Sequence, residues 1–337
     1  MTELGRIRRP GGGRKISEQE ADPLTLEKFE TIIADHQAGD PMNSSVKFTY
    51  LSRPELLSKM SSLGVNTSLY HINKLLSKLG LGRRKMSKVG TYKQIEGRNE
   101  QFEYISELIG QYQQSSDIIV SIDAKKKEYL GQLHRKGKIY CSSPIVCYDH
   151  DFPSQSTGKV NPFGVYDTKL NEGYLFLNQS VDTAEYAVDC LEQYLFNYGF
   201  NRYTNPQRML VLCDAGGSNG CRNHRFKEKV QQLANDTGLQ IRVAHYPSYC
   251  SKYNPCDHRL FPHITRALSG ILLDSIDTIA NLVRKRAKTK EGLKVFVRKI
   301  NKVYKKGVKA SKDFIDNSPI VYDKDRKQWN YMAYSQY

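Results

Sequence analysis

"DIIVSIDAKKKEYLGQ", Asp117 to Gln132, opens on a short β-branched apolar run that ends on a carboxylate, Asp123. Such a run is too short for a typical helix and is bounded by polar residues, so it predicts a buried strand. Downstream, "FGVYDTKLNEGYLFLN" (163–178) alternates around Asn171-Glu172-Gly173 and predicts a hairpin. "TAEYAVDCLEQYLFNYG" (183–199) has helical periodicity, with Asp182 or Thr183 as its opening cap and Gly199 as its close. "RMLVLCDAGGSNG" (208–220) is an apolar strand that ends on Asp214 and enters a Gly-rich loop. A helix in "RFKEKVQQLANDTG", a strand in "LQIRVAHYP" and a further helix from "NPCDHRLFPHITRAL" complete the series.

The order is therefore strand, hairpin, helix, strand, helix, strand, helix. It predicts an α/β fold, a mixed sheet with helices on both faces of the kind found in ribonuclease H-like cores, over residues 117–282. Asp123 and Asp214 then end two strands, and Asp257 falls in the first turn of the following helix. Functional crevices of open α/β sheets lie outside the strand ends, so residues 91 positions apart can meet there. Three clustered carboxylates repel unless cations neutralise them, and oxygen ligands suit Mg²⁺ or Mn²⁺. Two such ions would activate a water or a 3′-hydroxyl against a phosphodiester. Asp123, Asp214 and Asp257 are thus the candidate catalytic and metal-ligating residues, with His258 and Arg259 as candidate supports beside them. Taken singly, each Asp is as well explained as a strand end or cap: Asn254, Pro255 and Asp257 alone make a capping-box-like helix start. Pro262 has no N–H for a continuing helix, so the helix carrying Asp257 should kink or restart there.

The charge points to a polyanion. Fifty-one Lys and Arg against 35 Asp and Glu leave a net +16, suited to nucleic acid. Residues 1–20 form a basic arm with Arg8, Arg9, Arg14 and Lys15 around Pro10 and three glycines, either a tail or a segment that tracks phosphates. Residues 21–95 read as a helical domain: Ser52 caps a helix with Pro54 in its first turn, and a second helix, "TSLYHINKLLSKLG", aligns Leu69, Ile72, Leu75, Leu76 and Leu79. That pair predicts a helix-turn-helix with His71, Asn73 and Lys74 outward, or an αα-hairpin that only packs. Arg83, Arg84 and Lys85 continue the charge, a linker helix is expected over 96–116, and Lys125, Lys126 and Lys127 adjoin Asp123. Residues 283–337 form a basic C-terminal region, densest from Arg284, Lys285 and Arg286 to Lys312, with 13 Lys or Arg against Glu291 alone. "LKVFV" within it predicts a strand of a small basic subdomain laid along DNA.

No run of 18 apolar residues and no apolar segment behind the N-terminal charges is present. Neither a membrane span nor a secretory signal is therefore expected, and the protein should work in the cytoplasm, associated with the nucleoid. Seven cysteines without a C-x-x-C pair fit reduced thiols. Cys250, Cys256, His258 and His263 have a spacing unlike common zinc sites, and the Gly-rich loop after Asp214 lacks the G-K-[ST] ending of a nucleotide-binding loop.

Several stretches occur in an order that resembles the DDE transposases of the ISAzo-thirteen-like insertion sequences, and more loosely the mariner-like transposases. They are "RPGGGRK", "SIDAKKKE", "HDFP", "GVYD", "NEG", "DAGGSNG", "LAND" with "TGL", and "SKYNPCDHRLF". The resemblance runs from about Arg9 to Trp329. It implies that Asp123, Asp214 and Asp257 form the catalytic triad, with Asp257 standing where the family pattern has Glu. It also implies magnesium as cofactor and double-stranded transposon-end DNA as substrate, joined to target DNA by a homo-oligomer assembled on it. The remaining readings are a nuclease of the same core without strand transfer and a transposase-derived DNA-binding protein with impaired chemistry.

Overall fold

The computed structural model describes residues 23–40, 43–84, 95–150, 152–290 and 292–336. Arg8, Arg9, Arg14, Lys15 and Lys85 lie outside the described residues. The chain divides into two compact units, Met1–Gly90 and Thr91–Tyr337.

In the first unit, α1 (Pro23–Asp35) is followed by an antiparallel pair, β1 (Gln37–Asp40) and β2 (Asn43–Thr49), and then by α2 (Arg53–Ser62) and α3 (Leu69–Lys78). Ser52 caps α2 in a complete capping box: its hydroxyl accepts from Glu55 N–H while the Glu55 carboxylate accepts from Ser52 N–H. Ser68 caps α3 through His71 N–H. The small core joins Phe29, Ile32 and Ile33 of α1 to Leu56 and Met60 of α2 and Ile72 and Leu75 of α3, with Leu76 and Leu79 packed at its edge. Leu69 departs from the expected apolar stripe and is exposed, because it lies in the first turn, where the helix has not yet crossed the core. Asn73 and Lys74 face outward as read, and His71 is half-buried. Asn73 accepts a hydrogen bond from Arg53 at 3.3 Å, and Lys74 lies over the Tyr70 ring.

The second unit is built on a nine-stranded sheet. α4 (Arg98–Gln114) precedes β3 (Ile118–Ala124) and β4 (Glu128–Leu130), and the long hairpin β5 (Gly158–Asp167) and β6 (Glu172–Asn178) follows. Then come α5 (Ala184–Tyr194), β7 (Arg208–Asp214), α6 (His224–Thr237), β8 (Gln240–Tyr246), α7 (Phe261–Ala267), α8 (Ile276–Arg286), β9 (Lys294–Lys299), β10 (Val321–Tyr322) and β11 (Asn330–Ala333). The central five strands lie in the order β6-β5-β3-β7-β8. β3, β7 and β8 run parallel, and β5 is antiparallel to both β3 and β6. In chain order this is 3-2-1-4-5 with only the second strand reversed, the ribonuclease H-like arrangement. The short apolar runs read as strands because both faces are covered. Ile118, Val120 and Ile122 pack with residues of α5 and α6, while Ile119 packs with Ile105, Leu108 and Tyr112 of α4.

Three expectations change. The expected linker helix, 96–116, is α4 lying on the sheet, because its apolar stripe supplies one wall of the core. The hairpin turns at 168–171, ahead of Glu172 and Gly173, which already pair in β6; buried Asp167 accepts from the Lys169 and Leu170 N–H groups and from the hydroxyls of Tyr194 and Tyr203. "LKVFV" forms β9, which pairs in parallel with β6, so it extends the central sheet and does not form a separate basic subdomain. β11, from the same C-terminal region, pairs with β8 beyond the other side of the core strands. Among the described residues, no helix is long and apolar enough to cross a membrane.

Candidate active site

β3 and β7 are parallel neighbours whose last register pair is Ser121 with Leu212. Two residues further along each strand come Asp123 and Asp214, so the pleat sets both carboxylates at the same level at the carboxyl end of the sheet. Asp123 pairs across β5 with Gly164, and Asp214 across β8 with Tyr246. The two carboxylates line one cavity of about 360 Å³, together with Asp182 and the loop from Ala215 to Asn219.

Asp257 reaches the site from another direction. The chain after β8 passes through Asn254 into a π-helical turn, Cys256–Leu260, and restarts as α7 at Phe261 with Pro262 in its first turn. The expected break at Pro262 is thus a change from π to α geometry, a feature frequent at functional sites. The turn packs very closely on the hairpin: a Cβ on Gly173 would stand 2.3 Å from Leu260 Cδ1, and one on Gly164 would stand 2.6 Å from Phe261 Cε1. Glycine at both positions lets the segment bearing Asp257 sit down on the sheet.

Asn254, expected only as a helix cap, is the buried link between these pieces. Its Nδ2 donates to Ile122 C=O and to Asp214 Oδ1, each at 3.2 Å. Its Oδ1 accepts from the Ser121 hydroxyl and, at 3.0 Å, from Cys256 N–H. One side chain therefore fixes β3, Asp214 and the start of the Asp257 turn. Behind Asp214, fully buried His245 places Nδ1 2.9 Å from the Asp214 carbonyl. Burial pushes its pKa down to about 4, so the ring is neutral at physiological pH.

The electrostatics of the site favour a cation. Burial, then the charges of Asp214 and Asp257, push the Asp123 pKa up to about 8. Asp214 is also raised, by burial and by Asp257, although its hydrogen bond from Asn254 opposes this. Asp257 is raised by burial, against the lowering influence of His258. Without a compensating cation the folded protein holds protons here that the unfolded chain releases. With a folded value near 8 against an ordinary 3.8, the stabilising contribution is complete below 3.8 and is lost as pH rises through 8. Thermal unfolding in chelator should therefore show stability falling from pH 4 to pH 8, and Mg²⁺ or Mn²⁺ should raise the melting temperature more at pH 8 than at pH 5. Asp123→Asn should flatten both trends; an unchanged pH profile in that variant would remove Asp123 from this role.

The donor set is all oxygen, which fits a hard divalent ion. Among the described residues, however, no three His, Cys, Asp or Glu side chains already stand close enough to hold an ion. Asp257 does not line the cavity that Asp123 and Asp214 share, although its charge is felt by both. The zinc arrangement of Cys250, Cys256, His258 and His263 is absent, because Cys250 and Cys256 are buried, Cys256 donating to Ser121 C=O, while His258 is exposed.

The basic residues divide. Lys126, Lys127, Arg83 and Arg84 are exposed. Lys125, half-buried beside Asp123, is tied to Glu128, which Arg135 also binds at 2.6 Å; three residues apart across the strand break, the Lys125 and Glu128 side chains neutralise each other. Arg259 lies beside the Tyr166 hydroxyl, and the charge of His258 acts on Asp257. Arg284, Lys285 and Arg286 form the last turn of α8, and Arg284 donates to Val297 C=O of β9 while remaining exposed. Asp182, read only as a possible helix opening, lines the cavity with Asp123 and Asp214 and has a buried Oδ1 without a hydrogen-bond partner. Thr183 is the actual cap of α5.

Carboxylates thus stand at the ends of the first and fourth strands of a ribonuclease H-like sheet. Residues 28–335 match the family described as the Rhodopirellula transposase DDE domain, and the chain belongs to that family. It is a DDE transposase, an enzyme class that uses divalent metal ions. No curated protein matches the sequence. Among solved structures, the Mos1 transposase paired-end complex with left transposon end is 13% identical over 85% of this chain and 76% of that one, with a TM-score of 0.44. The Mos1 mariner paired-end complex with Mn is 11% identical over 84% and 76%, also at 0.44. The Mos1 strand transfer complex is 14% identical over 85% and 76%, at 0.42.

Proposed function

We propose that the chain cuts DNA at transposon ends and joins the freed 3′-hydroxyl to target DNA, with Asp123, Asp214 and Asp257 as its catalytic carboxylates. The observation that carries this reading is the placement of Asp123 and Asp214 at the ends of adjacent parallel strands, with the charge of Asp257 raising the proton affinity of both. The three would draw in around two Mg²⁺ or Mn²⁺ ions, which supply activation of the attacking oxygen and stabilisation of the leaving one. The protein's own part is to hold those oxygens in line and keep bulk water out. Asn254 fixes the orientation of Asp214, and the neutral His245 ring supports its backbone from behind. Double-stranded ends are bound through α3, where Asn73 and Lys74 are exposed and His71 is half-buried, and the exposed charges of Arg83, Arg84, Lys126, Lys127 and the end of α8 track phosphates without reading sequence. The active form is a homo-oligomer assembled on DNA at the nucleoid.

The test uses the inverted repeats that flank the gene as a duplex substrate, with a supercoiled plasmid as target. Cleaved ends that join the plasmid support the reading, whereas cleavage without joining would leave a nuclease. Asp257 decides whether the third carboxylate takes part. Asp257→Ala should reduce cleavage by roughly a hundredfold or more, as expected when reacting groups lose their placement, while Asp257→Glu should retain activity. A fully active Ala variant would reduce Asp257 to a helix-start residue worth about 0.5–2 kcal/mol of stability.

A further inference from the structure

A second, larger cavity of about 1210 Å³ abuts the first. The two share Ala215, Gly216, Gly217, Ser248 and Tyr249, so the start of the Gly-rich loop and the 248–249 turn are their common wall. Their charges are opposite: three aspartates line the smaller one, whereas Arg222, Lys227 and Lys327 line the larger one and, among the described residues, no carboxylate does.

Lys227 is the unusual member. It is only 6% exposed, and a buried ammonium is normally held by a carboxylate. Among the described residues it has none. Its Nζ donates to the Tyr322 hydroxyl at 3.2 Å and lies over the rings of Tyr322 and Tyr331, at 4.9 and 5.4 Å from their centroids. Ring faces offset part of the desolvation cost, but no described carboxylate neutralises the charge of this residue, which lines the cavity. Arg222 and Lys327 are exposed at its rim, and neither is paired with a described carboxylate. α6 begins at the same wall, its N-terminal peptide dipoles adding to the positive field. At the junction of the two cavities Tyr249 is 66% exposed and held at φ +62°, a conformation that bulky residues rarely adopt and that tends to persist at functional positions.

We infer that this cavity is a phosphodiester-binding site for the DNA strand next to the bond being cut, with Lys227 as its buried anchor and Tyr249 as a stacking surface for a base at the junction. The inference rests on the reading of the chain as a DNA-cutting enzyme and assigns the path of the substrate strand: past the acidic cavity, over the Gly216–Gly217 wall, into the basic one.

The test measures binding of a fluorescent oligothymidylate of roughly 16 nucleotides to the full chain across a salt series. Each lost phosphate contact should lower the slope of log affinity against log salt by about 0.7 and weaken binding at low salt roughly five- to tenfold. Lys227→Met, Arg222→Ala and Lys327→Ala should each do so, while Lys229→Ala, on α6 but outside the cavity lining, should not. If Lys227→Met fails to fold, the two exposed variants decide the matter. Unchanged slopes in Arg222→Ala and Lys327→Ala overturn the site. So does a result in which inorganic phosphate at matched ionic strength displaces the oligothymidylate, because the cavity would then hold a small free anion. Absence of oligothymidylate binding by the unaltered protein overturns it as well. Cleavage of duplex ends, scored separately, shows whether the transposase reading itself stands.

Discussion

Asp214→Ala and Asp123→Ala should each abolish divalent-dependent cleavage of the transposon ends while leaving end binding within about threefold of the unaltered protein. Each loses a carboxylate at the point where the two strands present them together, and neither is among the exposed cations proposed to contact the backbone, so the electrostatic share of DNA affinity is kept. Cleavage by gel assay and binding by mobility shift on the same duplex separate the two effects. Residual cleavage within tenfold of normal in either variant would remove that residue from the chemistry. Equal loss of binding and cleavage would mean that the substitution had damaged the fold, which thermal unfolding would reveal.

Asn254→Ala should be the most damaging substitution outside the carboxylates. Asn254 is fully buried and makes four hydrogen bonds to three separate parts of the site. Truncation leaves the Ser121 hydroxyl and the Cys256 N–H without their acceptor and the Ile122 carbonyl without this donor, and unsatisfied buried groups cost about 1–3 kcal/mol each. A loss of about 3–5 kcal/mol in unfolding free energy is expected. Asn254→Asp keeps the shape and adds a negative charge against Asp214, so it should fold at low pH, lose stability as pH rises through neutrality, and lose cleavage. An Ala variant with ordinary stability and activity would show that the hydrogen bonds do not organise the site.

The residues that the sequence made legible are those whose role shows in local pattern. β3, β7 and β8 are short apolar runs because both sheet faces are covered, and each of the first two runs ends where a strand leaves the core, which places Asp123 and Asp214 at its edge. Pro262 announced the change of helix type because the constraint is in its own ring. In sequence Asn254 has the signature of a cap alone, since its decisive partners, Ser121 and Ile122, lie more than 130 positions away and nothing local marks them. Asp182 has the signature of a helix opening alone for the same reason. Lys125 belongs to a charge run, and Glu128 three residues later holds it. The strand β9 falls in a basic tail by sequence because pairing with β6 joins strands more than 110 residues apart in the chain, and a parallel partner leaves no turn signature between them.

The placement of β9 beside β6 and β11 beside β8 has a consequence for shortened copies. A chain interrupted before residue 294 would keep all three aspartates, both glycine contacts and the Asn254 link, yet would leave both margins of the central sheet with unpaired peptide groups. Open margins of buried, apolar strands recruit other chains. A frameshift before residue 294 is therefore expected to yield an aggregation-prone product and not a milder enzyme, and recovery of a soluble, folded chain truncated there would refute this.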